Sequence, residues 1–305
     1  MIRRPRRVVA TVLVVAAVGC AQPEVADMTP TLMELEASLR SVVAASGAEV
    51  GLYYRALASD GDSLALSPDL RMHAASTMKV PVMMQLFLDD QEGRRGLDEP
   101  IPVTRTFRSI VDGSSFDLPP ESDSDTTFYD RVGSEAPARE LIDRMITWSS
   151  NLATNILIEV AEPDRIGELM TAIGADSMSV LRGVEDIKAF EAGLSNTATA
   201  RSLGAVMAAV HGSDRFSPEH REGMIEVLAR QHFTEGIPTG VPAGVRVANK
   251  TGWITGINHD AALVYPGAAM PYVLVVMVRG HPDEDQGAAM TAELSRLVWE
   301  YHIGG

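Results

Sequence analysis

The sequence predicts an α/β fold: one antiparallel sheet built from N- and C-terminal segments and flanked by helices, with an inserted all-helical domain. Three features predict it, namely strand patterns near the N-terminus, helical patterns through the middle, and valine-rich strand patterns in the last third. Strands at both ends are most simply joined in one sheet, which leaves the middle as a helical layer. We therefore assign residues 29–70 and 215–305 to an α/β part and residues 71–214 to a helical part.

The first residues have the pattern of a targeting segment. Arginines between positions 3 and 7 precede an apolar run, Val8 to Val18, that is too short to span a bilayer. The run ends in small residues before Cys20, which is the only cysteine of the chain. This pattern resembles a bacterial lipobox and implies a lipoprotein signal peptide over 1–19, lipid attachment to Cys20 and a tether over 20–28. The protein would then be anchored in the cell envelope, at the periplasmic or outer face; a plain secretory signal and an uncleaved anchor are the alternatives.

Composition and charge argue against several classes of function. The formal net charge of −15 argues against nucleic acid as a partner. No feature of the sequence requires an oligomer, so we expect a monomer. A single cysteine cannot form a disulfide or a cysteine metal cluster within the chain. The seven histidines are scattered without the spacing of metal ligands, and no glycine-rich phosphate loop is present. We therefore expect neither a metal nor a cofactor.

The α/β part begins with a helix and a hairpin. Thr29-Pro30 offers one N-terminal cap, and Thr31 with Glu34 offers a competing capping box. Apolar residues then keep helical spacing up to Gly47, a suitable C-terminal cap. The predicted strands of the hairpin are residues 49–57 and 63–66.

The middle of the chain is predicted to be helical. A dense apolar run from Val80 to Leu88 predicts a buried helix, and residues 112–127, rich in turn formers and acids, predict a surface excursion. Later helices are predicted from Pro137, around Leu152 to Val160, and over about 165–173, 197–211 and 218–231. Asn196 is the expected N-cap of the helix that starts at Thr197.

The last third returns to strands. Residues 245–250, 261–265 and 272–278 predict three consecutive strands, because they alternate or are rich in apolar residues and are separated by turns. An amphipathic helix over 284–301 closes the chain. A cleft between the two parts is where a binding pocket would be expected.

Three polar motifs fall at helix starts or strand ends. They are Ser76-Thr77-Met78-Lys79, Ser149-Ser150-Asn151 and Lys250-Thr251-Gly252-Trp253. On a helix Ser76 and Lys79 share one face, and a lysine can take a serine proton only if burial or neighbouring cations lower its pKa. Each motif alone has an ordinary alternative: a chance match for the first, a helix-junction cap for Asn151 and a solvated strand end for Lys250.

In this order the three motifs resemble those of the class A serine β-lactamases and of the penicillin-interacting D-alanyl-D-alanine peptidases. The resemblance covers roughly residues 30–303 and implies the serine β-lactamase-like fold. It also implies hydrolysis of a small-molecule β-lactam through an acyl-Ser76 intermediate. The implied catalytic residues are Ser76, Lys79, Ser149, Glu185 and Lys250, and the implied substrate-binding residues are Asn151, Thr251, Gly252 and Trp253.

The resemblance also implies a role for each group. Ser76 would be the nucleophile, Lys79 its partner and candidate base, and Ser149 the relay that protonates the lactam nitrogen. Lys250 would support that proton path and, with Thr251, bind the substrate carboxylate. The backbone N–H groups of Ser76 and Trp253 would bind the oxyanion.

The sequence departs from the family pattern at three places. Ser150 stands where the family usually has an aspartate with a structural role, so we expect a softened rather than an absent site. Pro81 would remove a hydrogen bond within the nucleophile helix, unless that helix is kinked or starts late. Glu185 is the candidate base for deacylation, but its loop lacks the family's following proline and asparagine. A salt bridge from Glu185 to Arg182 or Lys188 is the alternative.

Two further functions stay open on the same scaffold. One is a peptidase or esterase that acts on cell-wall D-alanyl peptides. The other is a penicillin-binding sensor, which would be acylated without turnover if Glu185 were not positioned for deacylation.

Overall fold

The computed structural model of the protein describes residues 30–281 and 283–304. The predicted signal peptide, the lipidation site Cys20 and the tether lie outside the described residues. Within the part of the chain that is described, no helix has both the length and the apolar character needed to cross a membrane.

The strands and helices occupy the following ranges. The strands are β1 (Glu49–Ala56), β2 (Ser63–Leu66), β3 (Met72–His73), β4 (Pro100–Pro102), β5 (Thr106–Arg108), β6 (Ser115–Asp117), β7 (Glu135–Pro137), β8 (Thr197–Ala198), β9 (Arg246–Ile254), β10 (Ile257–Tyr265) and β11 (Tyr272–Arg279). The α-helices are α1 (Leu32–Ser46), α2 (Lys79–Gln91), α3 (Ala138–Thr147), α4 (Asn151–Ala161), α5 (Pro163–Ala172), α6 (Ile187–Glu191), α7 (Ala200–Gly212), α8 (Pro218–Ala229) and α9 (Glu284–Gly304).

Strands from both ends of the chain form one five-stranded sheet in the order β2-β1-β11-β10-β9. Every neighbouring pair in it is antiparallel. The N-terminal hairpin thus joins the sheet through β1 and β11, where Val50 lies opposite Val278. The predicted α/β class and the sheet built from both termini are confirmed. The strand β9, which carries Lys250, forms one edge.

The sheet buries both faces because successive side chains of a strand point to opposite sides. On one side Leu52 and Leu274 pack in a core with α1 and with Leu294 of α9. On the other side Val275 and Met277 belong to a larger core that continues into α2, α4 and α7. The motif-bearing elements therefore rest on one continuous core.

The helix α1 begins at the second of the two predicted caps. Thr31 accepts from the Glu34 backbone, and the Glu34 side chain accepts from the Thr31 N–H at 2.8 Å, which completes a capping box. Gly47 ends the helix in the left-handed conformation, at φ 68°.

A late helix start explains Pro81. A 3₁₀ turn over Ala75–Met78 precedes α2, which begins at Lys79. Pro81 is therefore in the first turn of α2, where backbone N–H groups have no partner within the helix. The proline interrupts no hydrogen bond, and no kink is needed.

The predicted cap of α7 was wrong. Thr199 caps this helix and forms a capping box with Ser202. Asn196 instead turns back to the preceding loop, where its side-chain oxygen accepts from the N–H groups of Leu181 and Arg182 at 2.8 and 3.1 Å. A cap and a loop anchor use the same amide oxygen, so composition alone does not distinguish them.

Candidate active site

Ser76 lies in the 3₁₀ turn before α2, against the edge strand β9. Its hydroxyl is half-buried, and Ala75 before it has φ 44°, a conformation that non-glycine residues rarely adopt. A Cβ atom on Gly252 would lie 2.9 Å from the backbone nitrogens of both Ser76 and Thr77. Glycine at 252 is therefore required for the strand to approach the serine this closely.

Lys79 is fully buried and directs its amine at the Ser-x-Asn motif. It donates to the backbone oxygen of Ser149 at 2.6 Å, to Ser149 Oγ at 3.2 Å and to Asn151 Oδ1 at 2.9 Å. Burial lowers the pKa of Lys79 to about 7, against the opposing charge of Asp123. Three acceptors use all three hydrogens of an ammonium group. Consistent with this, no hydrogen bond joins Lys79 to the Ser76 hydroxyl among the described residues.

Lys250 approaches the same serine hydroxyl from the sheet. It donates to Ser149 Oγ at 3.1 Å and to the backbone oxygen of Thr251 at 2.9 Å. Burial, and then the charge of Lys79, hold the pKa of Lys250 well below its usual range, although Asp260 opposes this. Two buried lysines thus donate to the same hydroxyl. Ser149, which carries it, has φ 57°, a backbone conformation that is strained for a residue other than glycine.

Ser150 and Asn151 open α4. Ser150 is its N-cap and accepts from the Ala153 N–H at 3.2 Å. The Asn151 side chain joins two elements, since its oxygen accepts from Lys79 and its nitrogen donates to the backbone oxygen of Ser122 at 2.7 Å. A carboxamide has a second N–H, which this arrangement leaves for a ligand.

The remaining residues of the Lys-Thr-Gly-Trp motif line the open side of β9. The hydroxyl of Thr251 is buried and has no hydrogen-bond partner among the described residues. Trp253 is half-exposed, with 50% of its surface accessible. An unpaired buried hydroxyl is uncommon and indicates an unfilled hydrogen-bonding role.

The loop before Asn196 is fastened to α4 at Val184. The Asn155 side chain donates to the Val184 backbone oxygen at 2.9 Å and accepts from the Val184 N–H at 2.6 Å. A Cβ on Gly183 would lie 2.7 Å from the Asn155 side-chain oxygen, so only glycine allows this approach. Asn155 is one helical turn beyond Asn151, which places the Val184 peptide on the face of α4 that carries the site.

Glu185 is not brought together with the other predicted catalytic residues. Its side chain is exposed, its φ is 64°, and its carboxylate makes neither a hydrogen bond nor an ion pair to any described residue, although its charge acts to raise the pKa of Arg182. The alternative salt bridge is not formed either, because Arg182 donates to the backbone oxygens of Leu194 and Gly183. Lys188 pairs with Asp112 at 2.7 Å. The general-base role of Glu185 therefore stays a prediction.

Asp186 is the buried carboxylate of this loop, and its function there is structural. It accepts from the Ser109 hydroxyl at 2.8 Å and from the Ile110 N–H at 2.9 Å. It also caps α6 by accepting from Ala189 N–H at 3.2 Å. With its oxygens used in this way, Asp186 fastens the loop to the turn between β5 and β6.

Two residues next to the site were missed at the level of sequence. Asn155 could have been found, since it repeats Asn151 at a spacing of four on the same helix face. Asp123 accepts from the Leu152 N–H at 2.7 Å and from the Ser150 hydroxyl at 3.3 Å. It lies in a turn-rich segment without periodicity, so no sequence pattern pointed to it.

Comparison with known proteins agrees with this geometry. The sequence model of the β-lactamase enzyme family matches residues 34–302. The chain belongs to the β-lactamase enzyme family. Among curated members, a β-lactamase of Amycolatopsis lactamdurans is 28% identical over 257 residues, which cover 82% of this chain and 80% of that protein. The β-lactamase AST-1 of Nocardia asteroides is 26% identical over 225 residues, 66% of this chain and 72% of that protein.

Solved structures of the family share the fold. PBP-A superposes with a TM-score of 0.78 at 25% identity and covers 91% of this chain and 100% of its own. A single-residue mutant of PBP-A, solved as an acyl-enzyme complex with penicillin G, gives the same TM-score and identity and covers 91% of this chain and 99% of its own. An ancestral class A β-lactamase superposes with a TM-score of 0.76 at 24% identity and covers 87% of this chain and 99% of its own. The predicted serine β-lactamase-like fold is confirmed.

Proposed function

We propose that this chain is a serine hydrolase that opens β-lactams through an acyl-Ser76 intermediate. The observation that carries the proposal is the shared hydroxyl: Ser149 Oγ lies 3.2 Å from the Lys79 amine and 3.1 Å from the Lys250 amine. This hydroxyl between two amines whose pKa values are lowered by burial supports a role for Ser149 as a proton relay. No such arrangement is needed to stabilise a fold, because two buried like charges destabilise it.

Acylation would proceed with Ser76 as nucleophile. Its oxygen attacks the lactam carbonyl, and its proton passes to the Lys79 amine, which must first release one of its three hydrogens. The carbon–nitrogen bond of the ring then breaks, and the nitrogen takes a proton through the Ser149 hydroxyl. Lys250, at 3.1 Å from that hydroxyl, is placed to resupply the proton.

Substrate binding would use the open side of β9 and the start of α4. The unpaired Thr251 hydroxyl and the Lys250 charge suit the carboxylate of a β-lactam. The free N–H of Asn151 suits a carbonyl of the amide side chain. The close approach of Gly252 to Ser76 brings the backbone of Trp253 near the nucleophile, where two N–H groups would bind the oxyanion.

A second candidate is a penicillin-binding D-alanyl peptidase or sensor that forms the same acyl-enzyme but releases it slowly. The exposed Glu185 favours it, because a general base must reach the water that attacks the ester. Asp186 is held by Ser109 and Ile110 and is not free to replace it. The similarity to PBP-A, at 25% identity, points the same way.

One assay separates these functions. Purified protein is mixed with a chromogenic cephalosporin, and the acylated peptide is followed by mass spectrometry, with Ser76→Ala as control. Many turnovers support hydrolysis, whereas one stoichiometric burst with a persistent adduct at Ser76 supports the slow acyl-enzyme. Absence of both reaction and adduct contradicts the acyl-Ser76 proposal.

We also propose that the protein is exported and lipid-anchored at Cys20. The proposal is supported by the arginine-rich start, the apolar run and the small residues before the cysteine. Metabolic labelling with a clickable fatty acid in a bacterium that expresses the full sequence should label the processed protein and should not label the Cys20→Ala variant. Equal labelling of the two contradicts the anchor.

A further inference from the structure

A carboxylate from outside the three motifs holds the start of α4. One oxygen of Asp123 accepts from the Leu152 N–H at 2.7 Å and from the Ser150 hydroxyl at 3.3 Å. Ser150 caps the next N–H, that of Ala153. The first turn of α4 thus has two side-chain acceptors, and one of them comes from 27 positions earlier in the chain.

The same short segment also holds Asn151. The backbone oxygen of Ser122 accepts from the Asn151 side-chain nitrogen at 2.7 Å, while the Asn151 oxygen accepts from Lys79. Ser122 therefore contacts Asn151, and Asp123 contacts Ser150, so both belong to the surroundings of the Ser149–Asn151 motif. Lys79 is linked to this segment through a single side chain.

The segment is itself firmly placed. The other oxygen of Asp123 accepts from the Asp125 N–H at 3.0 Å. Asp125 is buried, pairs with Arg144 of α3 at 3.2 Å and accepts from the Thr127 hydroxyl at 2.7 Å. A buried ion pair with further hydrogen bonds fixes geometry more firmly than an exposed one.

We propose that Asp123 is a positioning residue for the Ser149–Asn151 motif, which holds the start of α4 and supplies a negative charge that acts on Lys79. In this chain it takes over from the aspartate that Ser150 replaces. The inference rests on the proposed acyl-Ser76 reaction. It deepens that proposal by assigning a role to the segment between β6 and α3.

The charge of Asp123 should affect the pH dependence of acylation, which a purely structural role would leave unchanged. Burial lowers the pKa of Lys79, and Asp123 opposes this shift. The other ionisable groups around the pair are Lys250 on β9, Asp260 behind it on β10, and Tyr129 beside Asp123. Removing only the charge of Asp123 should therefore lower the pKa of Lys79 further. The acid limb of acylation, which reports the deprotonated amine, should move to lower pH.

The test compares three variants with the parent. Asp123→Asn keeps an oxygen acceptor for Leu152 and Ser150 but removes the charge, and Asp123→Ala removes both. Asp117→Asn is the matched control, since Asp117 is an exposed carboxylate at the end of β6, 3.8 Å from Arg105, and accepts from the Thr106 hydroxyl at 2.6 Å. The rate of Ser76 acylation by a fluorescent penicillin is measured from pH 5 to 9, and thermal melting checks folding.

We expect Asp123→Asn to shift the acid limb by about half a pH unit or more to lower pH, while Asp117→Asn leaves it unchanged. Asp123→Ala should slow acylation at least about tenfold across the range, as expected when a positioning group is lost. If Asp123→Ala fails to fold, the Asn variant alone decides. A parental pH profile in Asp123→Asn overturns the inference, whereas absence of acylation in the parent instead overturns the proposed function.

Discussion

Lys79 and Lys250 both donate a hydrogen bond to the Ser149 hydroxyl. Their hydrogen bonds limit when each amine can accept or donate a proton. With its three hydrogens all donated, Lys79 has the hydrogen bonding of an ammonium, which cannot accept a proton from Ser76. Its pKa of about 7 means that loss of one proton is accessible near neutrality. The site therefore needs Ser149 to keep both amines aligned while one of them changes charge.

Removing the shared hydroxyl should affect the reaction far more than the fold. We expect Ser149→Ala to slow acylation by about 10²-fold or more, because both amines lose their relay. The control is Ser150→Ala in the next position, which should cost about 1 kcal/mol of stability as a lost helix cap but slow acylation less than about tenfold. Stopped-flow acylation and urea unfolding measure the two effects. Similar acylation rates in the two variants would contradict the relay.

For Glu185, in contrast to Ser149, we expect a substitution to have little effect on the reaction. Its side chain is exposed and has no hydrogen bond or ion pair within the described part of the chain. A positioned general base contributes about 10²–10⁴-fold, so we expect Glu185→Gln to change deacylation by less than about threefold. Release of a labelled penicilloyl group from Ser76 measures this rate. A hundredfold slowing would instead identify Glu185 as the base.

Sequence reasoning named Lys79, Ser149 and Lys250, which the structure brings together, because each lies in a short motif whose spacing is local in the chain. Ser76 and Lys79 are three residues apart, and Ser149 and Asn151 are two apart, so each pair is placed by one turn of backbone. Asp123 reaches Ser150 across a turn-rich segment, and the Asn155 contact to Val184 spans 29 positions. Such contacts depend on how loops pack, which no periodicity encodes.

At the scale of elements, the loop before Asn196 carries the carboxylates from which the proposed deacylation would need its general base. It is fixed at three points: Asn196 holds its first residues, Asn155 holds Val184, and Asp186 holds the turn after β5. Asn155 brings the Val184 peptide to within one helical turn of Asn151, whereas Glu185 projects into solvent. The loop therefore holds an apolar residue, Val184, against the helix that carries Asn151.

A carboxylate at position 184 should act as a general base for deacylation. Because the Val184 peptide is fixed by two hydrogen bonds and its side chain is half-buried, we expect Val184→Glu to speed deacylation of acyl-Ser76 by about tenfold or more. Val184→Gln is the matched control, with similar size and no basic group. Deacylation rates are measured with the same labelled penicillin. Equal rates in the two variants would show that position 184 does not face the ester.

Element boundaries were predictable where one local rule applied and failed where two competed. The hairpin strands predicted at residues 49–57 and 63–66 appear as β1 and β2, whereas at α1 the sequence offered two caps, of which Thr31 with Glu34 is the one used. At α7, Asn196 and Thr199 are both residue types that cap helices. The Asn196 side chain binds the preceding loop instead, and Thr199 is the cap. The position of Pro81 could be explained only with the 3₁₀ turn before α2. That turn depends on the packing of Ser76 against β9, which the sequence does not show.

At the scale of the whole molecule, the sheet brings the C-terminal motif to Ser76. The edge strand β9 places Gly252 against Ser76, and β10 and β11 connect that edge to the N-terminal β1. This much followed from strands at both ends of the chain. A buried histidine reinforces the link: His259 on β10 lies 3.0 Å from the backbone oxygen of His73 and accepts from the Val278 N–H at 3.1 Å.

His259 should make the stability of the whole fold depend on pH. Since its Nδ1 accepts from Val278, its Nε2 carries the proton donated to His73, and the ring is neutral. Burial lowers the pKa of His259 to about 4, below its usual value of about 6.5. The unfolded chain then binds the proton first, so the contribution of His259 is fully present above pH 6.5 and is lost as the pH falls towards 4, by about 3 kcal/mol in total. Neighbouring Asp260, whose pKa is raised to about 6 by burial, changes stability in the opposite direction over an overlapping range.

A difference measurement isolates His259 from that carboxylate. Urea unfolding of the parent and of His259→Gln, which cannot titrate but can still donate and accept, is compared from pH 7.5 to 4. We expect the parent to lose about 3 kcal/mol relative to the variant over this range, because Asp260 affects both proteins alike. His232→Gln serves as control for the same substitution at an exposed histidine, one that is stacked on Trp148 with ring centroids 3.8 Å apart. A flat difference for His259→Gln would mean that the pKa of His259 is the same in the folded and in the unfolded chain, and that the link from β10 and β11 to the turn at Ser76 does not depend on a neutral ring.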